Sequence, residues 1–132
     1  MKPSRVSVIV LSICSFVALA QPDAQYDSMK IGEFVRLNDA AKTDKASEVR
    51  LVSYLRGLEN GVFSSDTYVR TVLRAAIFCP PDEAPFDWRT VRNMIVQWID
   101  REIQAGRKPG PNTTVSVVYI KALLAKYPCR AN

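Results

Sequence analysis

The residues able to do chemistry in this chain are few, and their spacing narrows what that chemistry is. Histidine is absent, which removes the usual general base, the commonest zinc ligand and the ordinary neutral-pH switch. Acidic residues come as close neighbours, Asp82 with Glu83 and Asp100 with Glu102, at spacings that do not face each other on a helix. A glycosidase-type pair would have to be drawn from distant segments. The chain holds no Gly-rich phosphate loop, no nucleophile elbow and no metal-ligand spacing. Cys79 and Cys129, in separate segments without histidine, make a poor zinc site and a good disulfide. Asn112-Thr113-Thr114 matches a glycosylation sequon, but its place ahead of an apolar run reads as a helix N-cap. The expectation is a protein without catalysis, cofactor or metal.

Those cysteines need an oxidising compartment, and the N-terminus supplies an address. Met1-Lys2-Pro3-Ser4-Arg5 is basic, Val6 to Val17 is apolar, and Ala18-Leu19-Ala20 is a small-x-small ending before Gln21. This pattern predicts a signal peptide over 1–20, cleaved between Ala20 and Gln21. The apolar run is shorter than the roughly 20 residues of a membrane span. A lipidated Cys14 would need a small residue where Ile13 stands. What remains, 21–132, has the length of one domain. Losing Lys2 and Arg5 lowers the net charge from +5 to +3. Arg70, Arg74, Arg89, Arg92 and Arg101 are spread along helix faces without interleaved aromatics, which argues against nucleic acid. With Cys14 removed, Cys79 and Cys129 are left to pair. Closing a loop of about 50 residues stabilises by roughly 4 kcal/mol in the chain-entropy model.

Helical periodicity runs through the rest. Ile31, Phe34 and Leu37 recur at threes within 29–37, a weak signal interrupted by Gly32. Asp44 caps a helix over 45–63, with Leu51, Leu55, Leu58 and Val62 on one stripe. Gly57 and Gly61 lie four apart on it and mark either a close backbone contact or a helix end at Gly61. Ser64 to Asp66 ends that helix or starts another, and 67–78 repeats helical spacing until Cys79-Pro80-Pro81-Asp82 breaks it. Asp87 caps the clearest helix, 88–106, whose stripe includes Trp88, Val91, Met94, Ile95, Trp98 and Ile99. A Gly/Pro turn leads to 112–127, apolar on nearly every side and expected to be the most buried helix. No strand pattern competes. The fold class is all-α, a small bundle of about four helices stapled by one disulfide.

Tyr54-Leu55-Arg56-Gly57, then Gly61, then Phe78-Cys79-Pro80-Pro81, then a helix closing on Tyr127-Pro128-Cys129 resembles the Tai/Rap immunity proteins of type VI secretion. The resemblance runs from about Met29 to Cys129. It implies a periplasmic helical protein, often a homodimer, that binds and blocks a peptidoglycan-cleaving amidase toxin. It also implies that Cys79 and Cys129 are the family's disulfide pair and that Tyr54, Gly57, Gly61, Phe78, Pro80, Pro81 and Pro128 are structural motif residues. Many relatives carry a further cysteine pair, which would fall near Asn38 and Leu51. The rival reading is an exported helical envelope module with no cognate toxin. Toxin-contacting residues are not specified by the motif. Exposed loop candidates are Ser64 to Asp66, Asp82 to Glu83 and Arg107 to Lys108.

Overall fold

The computed structural model describes residues 28–129. The expected signal peptide and its cleavage point at Ala20 and Gln21 lie outside the described residues. Four helices follow in order, α1 (Ile31–Ala40), α2 (Lys45–Leu73), α3 (Trp88–Gln104) and α4 (Val115–Lys126). The expected all-α bundle is what forms. Asp44 caps α2 by accepting from the Ser47 N–H at 2.8 Å, and Asp87 caps α3 by accepting from the Thr90 N–H at 2.7 Å. These two aspartates satisfy N–H groups that have no partner inside their helices.

The helices pack as a chain of neighbours, α1 on α2, α2 on α3 and α3 on α4. Phe34 of α1, Leu51 and Leu55 of α2, Val91 and Ile95 of α3, and Val118, Tyr119 and Leu123 of α4 meet in one core. The stretch before α1 also pairs with the stretch before α4. Lys30 and Thr114 form an isolated antiparallel bridge. The Ile31 N–H donates to the Thr113 carbonyl and the Val115 N–H to the Met29 carbonyl, both at 2.9 Å.

At the other end, Cys79 and Cys129 are joined, with sulfurs 2.14 Å apart. The Cys79 N–H donates to the Tyr127 carbonyl at 2.9 Å. Phe63 contacts Phe78 and Phe86 edge-on at ring separations of 5.3 and 4.4 Å, and Phe86 contacts Tyr127 at 5.8 Å. Phe78, Cys79 and Cys129 therefore belong to one fastening that holds the α2–α3 connector on the C-terminus of α4.

Four expectations change. α2 is continuous for 29 residues, so Gly61 does not end it and Ser64 to Asp66 is not a loop. The Ser65 hydroxyl donates to the Gly61 carbonyl at 2.8 Å within the unbroken helix. The helix expected over 67–78 is the last part of α2 plus an irregular connector. It ends at Leu73, where Arg74 turns the chain with φ of 53°. Asn112 is not a cap, because α4 starts later, with Thr114 at the N-cap position and no side-chain cap bond. Finally, α4 is not buried all round. Val117, Ile120 and Leu124 are 44%, 36% and 42% exposed, because α3 covers only one side of it.

Candidate functional site

The sequence-predicted residues separate into two places. Phe78, Cys79 and Cys129 make the fastening just described, and Pro80, Pro81 and Pro128 stand beside the bridged cysteines in the chain, the last two of them exposed. Tyr54, Gly57 and Gly61 come together elsewhere, on the wall of α2 that faces α4 across an open trough of about 520 Å³. α2 and α4 are not close neighbours in the bundle, and the trough is the space their separation leaves. Its floor on α2 repeats a small residue every fourth position, Ser53, Gly57, Gly61 and Ser65. A Cβ built on either glycine would meet nothing within 4 Å. Among the described residues the glycines therefore serve no close packing, although each costs about 1 kcal/mol of helix stability against alanine.

Leu58, Val62 and Tyr54 rise from α2 beside that floor, Ile120 and Ser116 from α4, and Ile77 from the connector. Among the described residues, none that lines the trough is charged. Tyr54 is half-buried, and burial, reinforced by the charge of Glu33, pushes its phenol up to about 12. It stays a neutral donor at any physiological pH.

Ile77 holds its place through an ion pair that no local pattern in the sequence announces. Asp66 is only 5% exposed. Its Oδ1 accepts from the Ile77 N–H at 2.8 Å, and its Oδ2 accepts from Nε of Arg70. Arg70 also donates to the Phe78 carbonyl. One carboxylate on α2 thus fixes the connector that forms one wall of the trough.

The remaining candidates stay apart from this place. Asp82, Glu83 and Lys108 are exposed. Arg107 grips Glu102 through two hydrogen bonds of 2.9 and 2.8 Å. That contact holds the Glu102 carboxyl below its ordinary range. Asn38 and Leu51, the positions at which the resemblance leads one to expect a further cysteine pair, line one small recess between α1, α2 and the start of α3. Here Leu51 is core, and the Asn38 side chain accepts from Nε of Arg92 on α3.

Serine hydroxyls in the trough have no adjacent base, so what this surface offers chemically is shape and apolar area. Among the described residues, no group of three or more His, Cys, Asp or Glu could hold a metal ion. No family model, curated protein or solved structure matches this chain. No helix among the described residues is long and apolar enough to cross a membrane. The glycine pair is visible in the sequence as a contact signal, and its extension by Ser53 and Ser65 is there to be read. Asp66 and Ile77 carry no such signal.

Proposed function

We propose that this protein is an exported, non-catalytic binding module of the immunity type. On this reading it is translocated by a cleaved signal peptide over 1–20 and works in the periplasm, where it occupies and blocks a peptidoglycan amidase toxin. The observation that carries the binding role is the open trough. Tyr54, Gly57 and Gly61, part of the pattern on which the resemblance to Tai/Rap immunity proteins rests, line this open face, and among the described residues nothing packs against the glycines. Exposed apolar surface of this kind marks interaction sites. The Cys79–Cys129 bridge suits an oxidising compartment, and a chain without histidine lacks the side chain that most often serves as general base.

Inhibition then needs only occlusion. A standard protein interface covers about 800 Å² per partner with a few anchor side chains, and a bundle of this size can present that much. The test is co-expression with each candidate toxin encoded beside the gene, directed to the periplasm. Survival that depends on this protein is the expected result. Equal killing with and without it, for every linked candidate, overturns the immunity reading in favour of an envelope module.

A further inference from the structure

We propose that the cleft between α3 and α4 binds a short acidic peptide with free ends, its ammonium on Asp100 and its carboxylates on Arg101 and Lys126. The inference concerns a different face from the α2–α4 trough and is independent of the toxin-binding reading.

The cleft encloses about 480 Å³, within the range of small-ligand sites. It reaches down to the core. Met94 and Ala122 line it and are only 4% and 2% exposed, so they form its floor. Ala122 is the smallest of the buried residues of α4, and its short side chain leaves the seam open over Met94.

Charges gather at the rim. Gln97, Asp100, Arg101 and Gln104 are spaced by three and four along α3 and share one face, and Lys126 lines the cleft from α4. Asp100, Arg101 and Lys126 are exposed, and among the described residues none of the three is in an ion pair. Elsewhere on the helices Lys45, Arg50 and Arg70 each meet a carboxylate. The Arg101 side chain donates to the Gln97 carbonyl of its own helix, at 3.3 Å, which keeps the guanidinium along the rim. The Lys126 Nζ lies 5.3 Å from the Tyr127 ring. Glu102, next in sequence, feels the charge of Arg101, but its carboxylate is taken by Arg107 and does not line the cleft. Charges of both signs are thus open to a ligand.

Sign and length then define that ligand. One carboxylate and two cations match a molecule with one ammonium and two carboxylates. Gln97 and Gln104 stand about 10 Å apart along α3 at 1.5 Å per residue, the span of about three extended residues. Each of these amides can donate and accept, as a peptide group requires. The small apolar floor takes a methyl-sized side chain.

The test uses the tripeptide Ala-Glu-Ala with free ends, its N-acetylated form, and the C-terminal amide of Ala-Gln-Ala, which has no carboxylate. Binding to the mature protein is read by NMR from the Met94 and Ala122 methyls and the Gln97 and Gln104 side-chain amides. The free acidic peptide should shift these signals with a Kd on the order of 1 mM or tighter, and added salt should weaken it. Asp100→Asn should lower its affinity by about five-fold, the upper end for a solvent-facing ion pair, and leave that of the acetylated form unchanged. Arg101→Gln with Lys126→Gln should weaken the acidic peptide and leave the carboxylate-free one unchanged. All three positions are exposed, so unfolding midpoints should stay in place. No shifts at these signals, equal affinity for all three peptides, or unchanged affinity in the variants would overturn the proposal. So would free glutamate binding as tightly as the tripeptide, since the site would then read two carboxylates and an ammonium without reading a peptide.

Discussion

On one side of α2, Leu51, Leu55 and Asp66 are 2%, 0% and 5% exposed. On another side of the same helix, Gly57 and Gly61 face open space, where an added Cβ would meet no atom within 4 Å. Both sides carry apolar residues at helical intervals. What separates them is the neighbour: α1 and α3 pack against the first side, and α4 stands off from the second. Periodicity therefore identifies which residues share a face, and packing decides whether that face is core or surface. The open side keeps two glycines that weaken the helix, and among the described residues no packing contact offsets that cost.

Substitutions on the two sides should differ in sign as well as size. Leu55→Ala, at a fully buried position, should cost about 2–5 kcal/mol in denaturant unfolding; a negligible loss would mean the sealed side is looser than its burial implies. Serine at both Cys79 and Cys129 should cost roughly 4 kcal/mol by loop entropy, with an unchanged midpoint arguing that Asp66 alone secures the connector. Asp66→Ala leaves the Ile77 N–H unpaired and should cost about 1–3 kcal/mol, less in Asp66→Asn, which keeps an acceptor there. Gly57→Ala and Gly61→Ala should instead stabilise, each by about 1 kcal/mol or less, and a loss of stability would show that the open side is covered after all.

The smallest effect is a pH dependence. Hydrogen bonds from Ser47 and Thr90 hold the Asp44 and Asp87 carboxyls below their ordinary value of 3.8. Their contribution is complete above the ordinary carboxylate range and is lost as pH falls below it through the lowered folded values. Acid titration of the unfolding midpoint should steepen there, and less so in Asp44→Asn with Asp87→Asn, which retain a cap without the titration.

Much of the fold is legible in the sequence because it rests on local rules. Asp44 and Asp87 cap as their positions demand, and the stripes of α2 and α3 turn inward as their spacing requires. What escapes is set by distance or by competing local signals. Gly61 and Ser64 look like a helix end, but Ser65 bonds back to Gly61 and the buried Asp66 lies one residue further on, so the helix continues. Asp66 finds its partner at Ile77, eleven residues on, an acceptor–donor match that no periodicity encodes. In α4 an all-round apolar pattern suggests full burial, yet Ser116 and Ile120 on its open side line the candidate site. The trough is therefore half legible: its glycines stand out, and its opposite wall reads as core.

The bridge between Lys30 and Thr114 has a kinetic consequence. It joins the residues just before the first helix to those just before the last, so the chain closes on itself only after nearly all of it has emerged. A polypeptide delivered in N-to-C order can form α1 and α2 early, but it must wait for α4 before its first segment has a pairing partner. Long-range closure of this kind slows folding relative to a bundle held by sequential contacts alone. The rate-limiting event should then be the docking of the two ends. Shortening the turn at Gly106 to Pro111 should disturb folding speed more than lengthening the connector between α1 and α2, because only the former carries α4 back to meet the start of the domain.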